Sequence, residues 1–146
     1  MSDAYVFDTE AIIAFLYDEP GHNRVGDLLD EVEAGDAEGL LSEMNASGVY
    51  YLVARYEGTA EEKPTSASLR AADRDIRTLT RRGVAVKRAE WRLAGELKAD
   101  GHISLADAYA AALAQERDAT LIAGGYDDFD ALPVDVDIAR FRDHGV

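Results

Sequence analysis

Two aspartates stand where a carboxylate can face an open site while its neighbours enter a core. Asp8 follows the short apolar run Tyr5-Val6-Phe7, and Asp107 lies in Ile103-Ser104-Leu105-Ala106-Asp107-Ala108, at the start of a helical pattern. Carboxylate oxygens are hard donors that suit Mg2+ or Mn2+. Brought together by a fold, such a pair begins the chemistry of metal-assisted phosphodiester cleavage. Glu43, Asp127, Asp128 and Asp130 fall near other element ends. Each acid also has an ordinary alternative. Asp8 can N-cap the helix that follows it. Ser104 to Asp107 matches a capping-box-like pattern, with Asp107 at the third helical position. Glu43 suits any helix start, and the last three suit an acidic surface loop. His22, His102 and His144 match no ligand spacing, and the chain has no cysteine, which excludes disulfides, thiolate nucleophiles and Cys-ligated zinc.

The elements that must position these acids alternate along the chain. Tyr5-Val6-Phe7 reads as a buried strand, Thr9 to Tyr17 as a helix, and Pro20-Gly21 as its break. His22 to Ala34 is helical, with Val25, Leu28, Leu29 and Val32 at helical spacing. Gly39-Leu40-Leu41 is a brief strand, and Ser42 caps a helix from Glu43 to Arg55. After the polar break 58–66, a helix spans 67–82 and stops at Gly83. Val84-Ala85-Val86 is a strand, 90–99 a helix, Ser104 to Arg117 an Ala-rich helix, and Thr120-Leu121-Ile122-Ala123 a strand. A last edge segment is expected over Val134 to Ile138. Strands alternating with helices predict a three-layer α/β/α sandwich around a mostly parallel sheet, as one domain over 1–146. In such sheets ligands bind beyond the carboxyl ends of the strands, where Asp8, Ser42-Glu43 and Tyr126-Asp127-Asp128 all fall.

The 146 residues suffice for one core, and 47% hydrophobic residues argue against disorder. No apolar run reaches the roughly 18 residues of a membrane span, and the start lacks the pattern of a signal peptide. A soluble cytoplasmic protein is the expectation. The net charge is −14, and Lys63, Lys87 and Lys98 are the only lysines. Abundant acids with scarce lysine fit a salt-rich cytoplasm, where a Debye length of about 3 Å at molar salt screens repulsion between chain and polyanion. Against this acidity, Arg70, Arg74, Arg77 and Arg81 recur at helical spacing. They suit RNA phosphates or an acidic partner, or else a solvated face with pairs such as Asp73–Arg77.

The chain resembles the PIN-domain nucleases, in particular the VapC-like toxins of type II toxin–antitoxin pairs. Phe7-Asp8-Thr9-Glu10-Ala11 is similar to that family's opening Asp-Ser/Thr motif. The stretch 41–51, Leu-Ser-Glu-Met-Asn-Ala-Ser-Gly-Val-Tyr-Tyr, resembles the second, Ser104-Leu105-Ala106-Asp107-Ala108 the third, and the stretch from Ala119 to Phe129 the fourth. The order is kept over nearly the whole length. The resemblance implies a PIN-like fold, Mg2+ or Mn2+ at Asp8 and Asp107, endoribonuclease activity, an antitoxin partner and a homodimer. It departs at two places. The acid usual before Val-Tyr-Tyr in archaeal-type second motifs is here Gly48, and the acid usual three residues before the Phe of the fourth is here Tyr126. Asp127 or Asp128 could take over the latter role, since loops tolerate re-aiming. Glu43 is a poor substitute for the former, because five residues along a helix is about 140° around its axis. The competing expectations are a PIN-like protein that binds RNA or a partner without cutting, and a flavodoxin-like binding domain, for which Gly124-Gly125 is a weak phosphate loop.

Overall fold

The computed structural model describes residues 3–124 and 135–142. Five strands, β1 (Asp3–Phe7), β2 (Ala37–Ser42), β3 (Val84–Lys87), β4 (Thr120–Ala123) and β5 (Ile138–Arg140), form one sheet in the order β3-β2-β1-β4-β5. Every neighbouring pair is parallel. The helices are α1 (Thr9–Leu16), α2 (His22–Glu33), α3 (Glu43–Tyr56), α4 (Ser66–Arg81), α5 (Trp91–Asp100) and α6 (Leu105–Arg117).

Side chains alternate across a strand, so consecutive apolar residues feed opposite faces. Phe7, Leu41 and Ile122 enter a core with α1, α2, α3 and α4, which contribute Ile12, Leu29, Val49, Val53 and Leu79. Val6, Leu40 and Leu121 enter the other, where α5 and α6 contribute Leu97, Ala110, Ala111 and Leu113. Near-continuous apolar runs are what a sheet covered on both faces requires. The expected three-layer α/β/α sandwich is therefore the observed fold.

The edge strand differs from expectation. Val134 lies outside the described residues, and 135–137 are irregular, with the strand at Ile138–Arg140. The segment expected over Val134 to Ile138 thus ends where the observed strand begins. The ladder instead pairs Leu121 with Ile138 and Ala123 with Arg140, because β4 itself is only four residues long. Phe141 follows β5 and is buried in the α1–α4 core. Its backbone carbonyl packs so close to Gly21 that a Cβ there would clash, and Gly21 at φ 89° takes the left-handed conformation that glycine adopts without strain.

The chain builds outward from β1 through β2 to β3, then returns to place β4 on the other flank of β1. The order reverses between β1 and β4. Ligands of open α/β sheets bind in the crevice beyond the carboxyl ends at such a reversal.

Candidate active site

Asp8 is the first residue past β1, at this reversal. Its N–H donates to the Ile122 carbonyl of β4 at 3.1 Å. Its side chain is 1% exposed, and Oδ1 accepts the Ala11 N–H at 2.6 Å, capping α1. The capping role open to Asp8 in the sequence is thus realised. Ser104 caps α6 in the same manner, its Oγ accepting the N–H of Asp107 at 3.0 Å. That fixes Asp107 in the first turn of α6, partly buried.

Asn45, fully buried in the first turn of α3, ties the acid-bearing elements together. Its Nδ2 donates to Thr9 Oγ1 at 3.0 Å and to the Ala106 carbonyl at 3.3 Å. Ser42 donates through Oγ to Asn45 Oδ1 and accepts the Asn45 N–H at 3.0 Å. One amide therefore holds the residue after Asp8 and the residue before Asp107 against the end of β2. Asn45 lies within the second motif, where its residue type alone marks no role. Its signal was a polar residue on the apolar side of a helix, beside Val49 and Val53.

A cavity of about 400 Å3 opens beside this tie, lined by Thr9, Glu10, Ile13, Glu19, Gly48, Tyr51, Leu52, Tyr56, Ser104, Ala106 and Asp107. Asp107 contributes to its wall, whereas Asp8 is buried just before the wall residues Thr9 and Glu10. Gly48 borders this cavity, as its place in the second motif implied. A Cβ at Gly48 would stand 2.8 Å from Thr9 Oγ1, so α1 packs against α3 closely at the motif position where a carboxylate is usual. Glu43 lies elsewhere, lining a separate cavity with Arg88 and Trp91. Tyr126, Asp127, Asp128 and Asp130 lie outside the described residues.

Glu10, to which the sequence gave no separate role, joins Glu19 and Asp107 as a third carboxylate of the cavity. A Cβ on Gly124, at the end of β4, would stand 2.5 Å from Glu10 Oε2, so glycine there is what admits the carboxylate. Arg142, just past β5, balances it, with Nη1 3.2 Å from Glu10 Oε1 and Nη2 3.9 Å from Glu19 Oε1. At the cavity rim Tyr56 meets Tyr17 edge to face. Burial, and then the hydrogen bond to Glu57, push the Tyr17 hydroxyl well above the usual phenol range.

The arginine stripe lies on α4. Arg70, Arg74 and Arg77 line a cavity of about 550 Å3 with Tyr50, Leu69 and Asp73, while Arg81 donates to Thr78. The Arg77–Asp73 pair anticipated from spacing forms at 2.8 Å. Burial, with Glu57 adding to it and Arg74 opposing it, raises the Asp75 carboxyl above its ordinary value.

An α/β/α sandwich with acids at the carboxyl end of its central strand, beside a strand-order reversal, defines a class, and a family model agrees. The model for the PIN domain matches residues 5–134, and the chain belongs to that family. Solved structures share the fold. VapBC2 from Rickettsia felis bound to a promoter DNA fragment aligns with a TM-score of 0.65 at 16% identity, covering 94% of this chain and 98% of that one. VapBC-1 from nontypeable Haemophilus influenzae gives 0.61 at 21%, covering 94% and 98%. FitAcB from Neisseria gonorrhoeae gives 0.62 at 19%, covering 94% and 97%. No curated protein matches significantly.

Proposed function

We propose that this chain is a VapC-like endoribonuclease that depends on a divalent metal and is held in check by an antitoxin partner. The observation that carries the reading is the Asn45 tie, which brings the elements bearing Asp8 and Asp107 together at the reversal of strand order. Similarity to VapBC structures supports the partner. The acid-rich, lysine-poor composition supports work at high salt.

Asp8 and Asp107 offer oxygen donors of the kind that a hard cation takes. Among the described residues no three His, Asp or Glu side chains group as metal ligands. Mg2+ needs only one or two carboxylates, with water and substrate phosphate completing its shell. Asp8 and Asp107 would hold it, and Asp127 or Asp128 would assist. When bound, such an ion supplies Lewis acidity to the phosphate and to the attacking water. The chain's own residues do the rest. Asn45 fixes the two acid-bearing elements relative to one another, which limits how far their backbones must move when an ion binds. Arg142 offsets the charge of Glu10 and Glu19, lowering the repulsion an incoming phosphate meets.

Purified protein with Mn2+ in high salt should cut RNA, and should stop with chelator or with Asp8→Asn or Asp107→Asn. A second reading, binding of RNA or a partner without cutting, is favoured by Gly48 at a motif position where an acid is usual. RNA retained by Arg70, Arg74, Arg77 and Arg81, with no cleavage under any metal, would establish it.

A further inference from the structure

A second cavity, of about 430 Å3, is lined in part by Glu43, Ser47, Arg88, Trp91 and Tyr109. Helices α3 and α6 contribute residues to both cavities. Ser47 faces this cavity and Gly48 the candidate site, while Tyr109 stands here and Asp107, two residues earlier on α6, stands there. Trp91 is 51% exposed, unusual for an indole with a whole core available. The Arg92 guanidinium lies over its ring, 4.7 Å from the centroid. The acid between Arg88 and Arg92 is engaged with backbone, since Glu90 accepts the N–H groups of Arg92 and Leu93. In a chain of net charge −14, an aromatic cavity in which Arg88 faces Glu43 as the one other charged lining residue is a selective exception.

We propose that this cavity is a nucleotide subsite for single-stranded RNA that runs on from the candidate site. An aromatic face with a neighbouring guanidinium is the usual means of holding an unpaired base and its phosphate. Trp91 and Tyr109 offer the stacking surfaces and Arg88 the phosphate contact. Glu43 adds selectivity, because an ionised carboxylate only accepts hydrogen bonds. Guanine presents a ring N–H and an amino group side by side, whereas uracil has no amino group. The subsite therefore favours guanine over uracil. It rests on the ribonuclease reading for the place of the cut, but not for binding.

Trp91 is the only tryptophan of the chain, so its fluorescence reports occupancy directly. The full-length protein in chelator would be titrated with guanosine 5′-monophosphate, uridine 5′-monophosphate and a mixed-sequence RNA hexamer. Saturable quenching is expected with the guanosine nucleotide and the hexamer, with half-saturation several-fold higher for the uridine nucleotide. Arg88→Ala and Tyr109→Leu should each weaken hexamer binding about ten-fold, and Glu43→Gln should erase the preference for guanine. No saturable quenching, or quenching that Arg88→Ala and Tyr109→Leu leave unchanged, would overturn the proposal. So would a dimer that Trp91→Ala dissociates, since a second copy would then cover the indole. Cleavage in Mn2+ without quenching in chelator refutes the subsite and spares the nuclease, and quenching without cleavage does the reverse.

Discussion

Asp8 carries two duties that substitution can separate. As the cap of α1 it needs only an acceptor, which asparagine supplies almost equally well. Asp8→Asn should therefore leave thermal stability nearly unchanged while abolishing metal-dependent cleavage. Asp8→Ala should lose both, at about 0.5–2 kcal/mol for the cap, and calorimetry beside a cleavage assay reads the two effects apart. Asn45→Ala removes a buried amide and leaves Thr9 and the Ala106 carbonyl without that donor, which should cost about 1–3 kcal/mol. An unfolding midpoint unchanged by that variant would remove the tie from the account of the site. Gly48→Glu would bring back the usual acid of the second motif, but its Cβ must displace Thr9 Oγ1. The expected result is tighter Mn2+ binding by titration calorimetry with a lower melting temperature. Asp8 and Asp107 were legible as candidates because they punctuate apolar runs. Glu10 and Arg142 were not, since their pairing depends on β5 lying beside β4, a contact that no local pattern encodes.

At the scale of elements, α4 carries a measurable burden. Its Asp75 is partly buried near Glu57, and its carboxyl titrates above the ordinary value. A raised folded-state pKa means the folded chain holds the proton more tightly than the unfolded one, so this group adds stability below the folded value. That contribution disappears as pH rises through the folded pKa, and at neutral pH the ionised group opposes folding. Asp75→Asn should raise the melting temperature at pH 7, and the advantage should shrink as pH falls through the carboxylate range. A gain that is independent of pH would point to some other cause. Helices and strands were readable because each supplies one apolar stripe or run. Ser42, Ser104 and Gly83 marked ends correctly, with Ser104 acting as the cap so that α6 begins at Leu105. The strand β5 was misplaced because three residues give too little periodicity to fix register, and its position follows from pairing with β4. Ile12, Ile13, Val49 and Val53 are buried in the chain's own core, which leaves Tyr50, Tyr51, Tyr56 and Leu69 as the exposed large groups on α3 and α4.

For the whole molecule, those tyrosines and Leu69 are where self-association should occur. Light scattering at micromolar concentration in high salt is expected to show a dimer, and Tyr51→Lys to reduce it. A monomer in the unaltered protein would refute that expectation. The all-parallel sheet has a further consequence, in time rather than in space. β1 has β2 on one flank and β4 on the other, and Tyr5 pairs with Thr120. No hairpin shortens that closure, and parallel pairing between distant segments is slow. During synthesis the chain must extend past Ile122 before Asp8 can donate its N–H there, so the site is among the last features to form. Removing β4 and everything after it should leave a chain that can pair β1 with β2 and yet never closes the reversal beside Asp8. With this topology the pocket cannot assemble until β4 has been made, however early β1, β2 and β3 are complete.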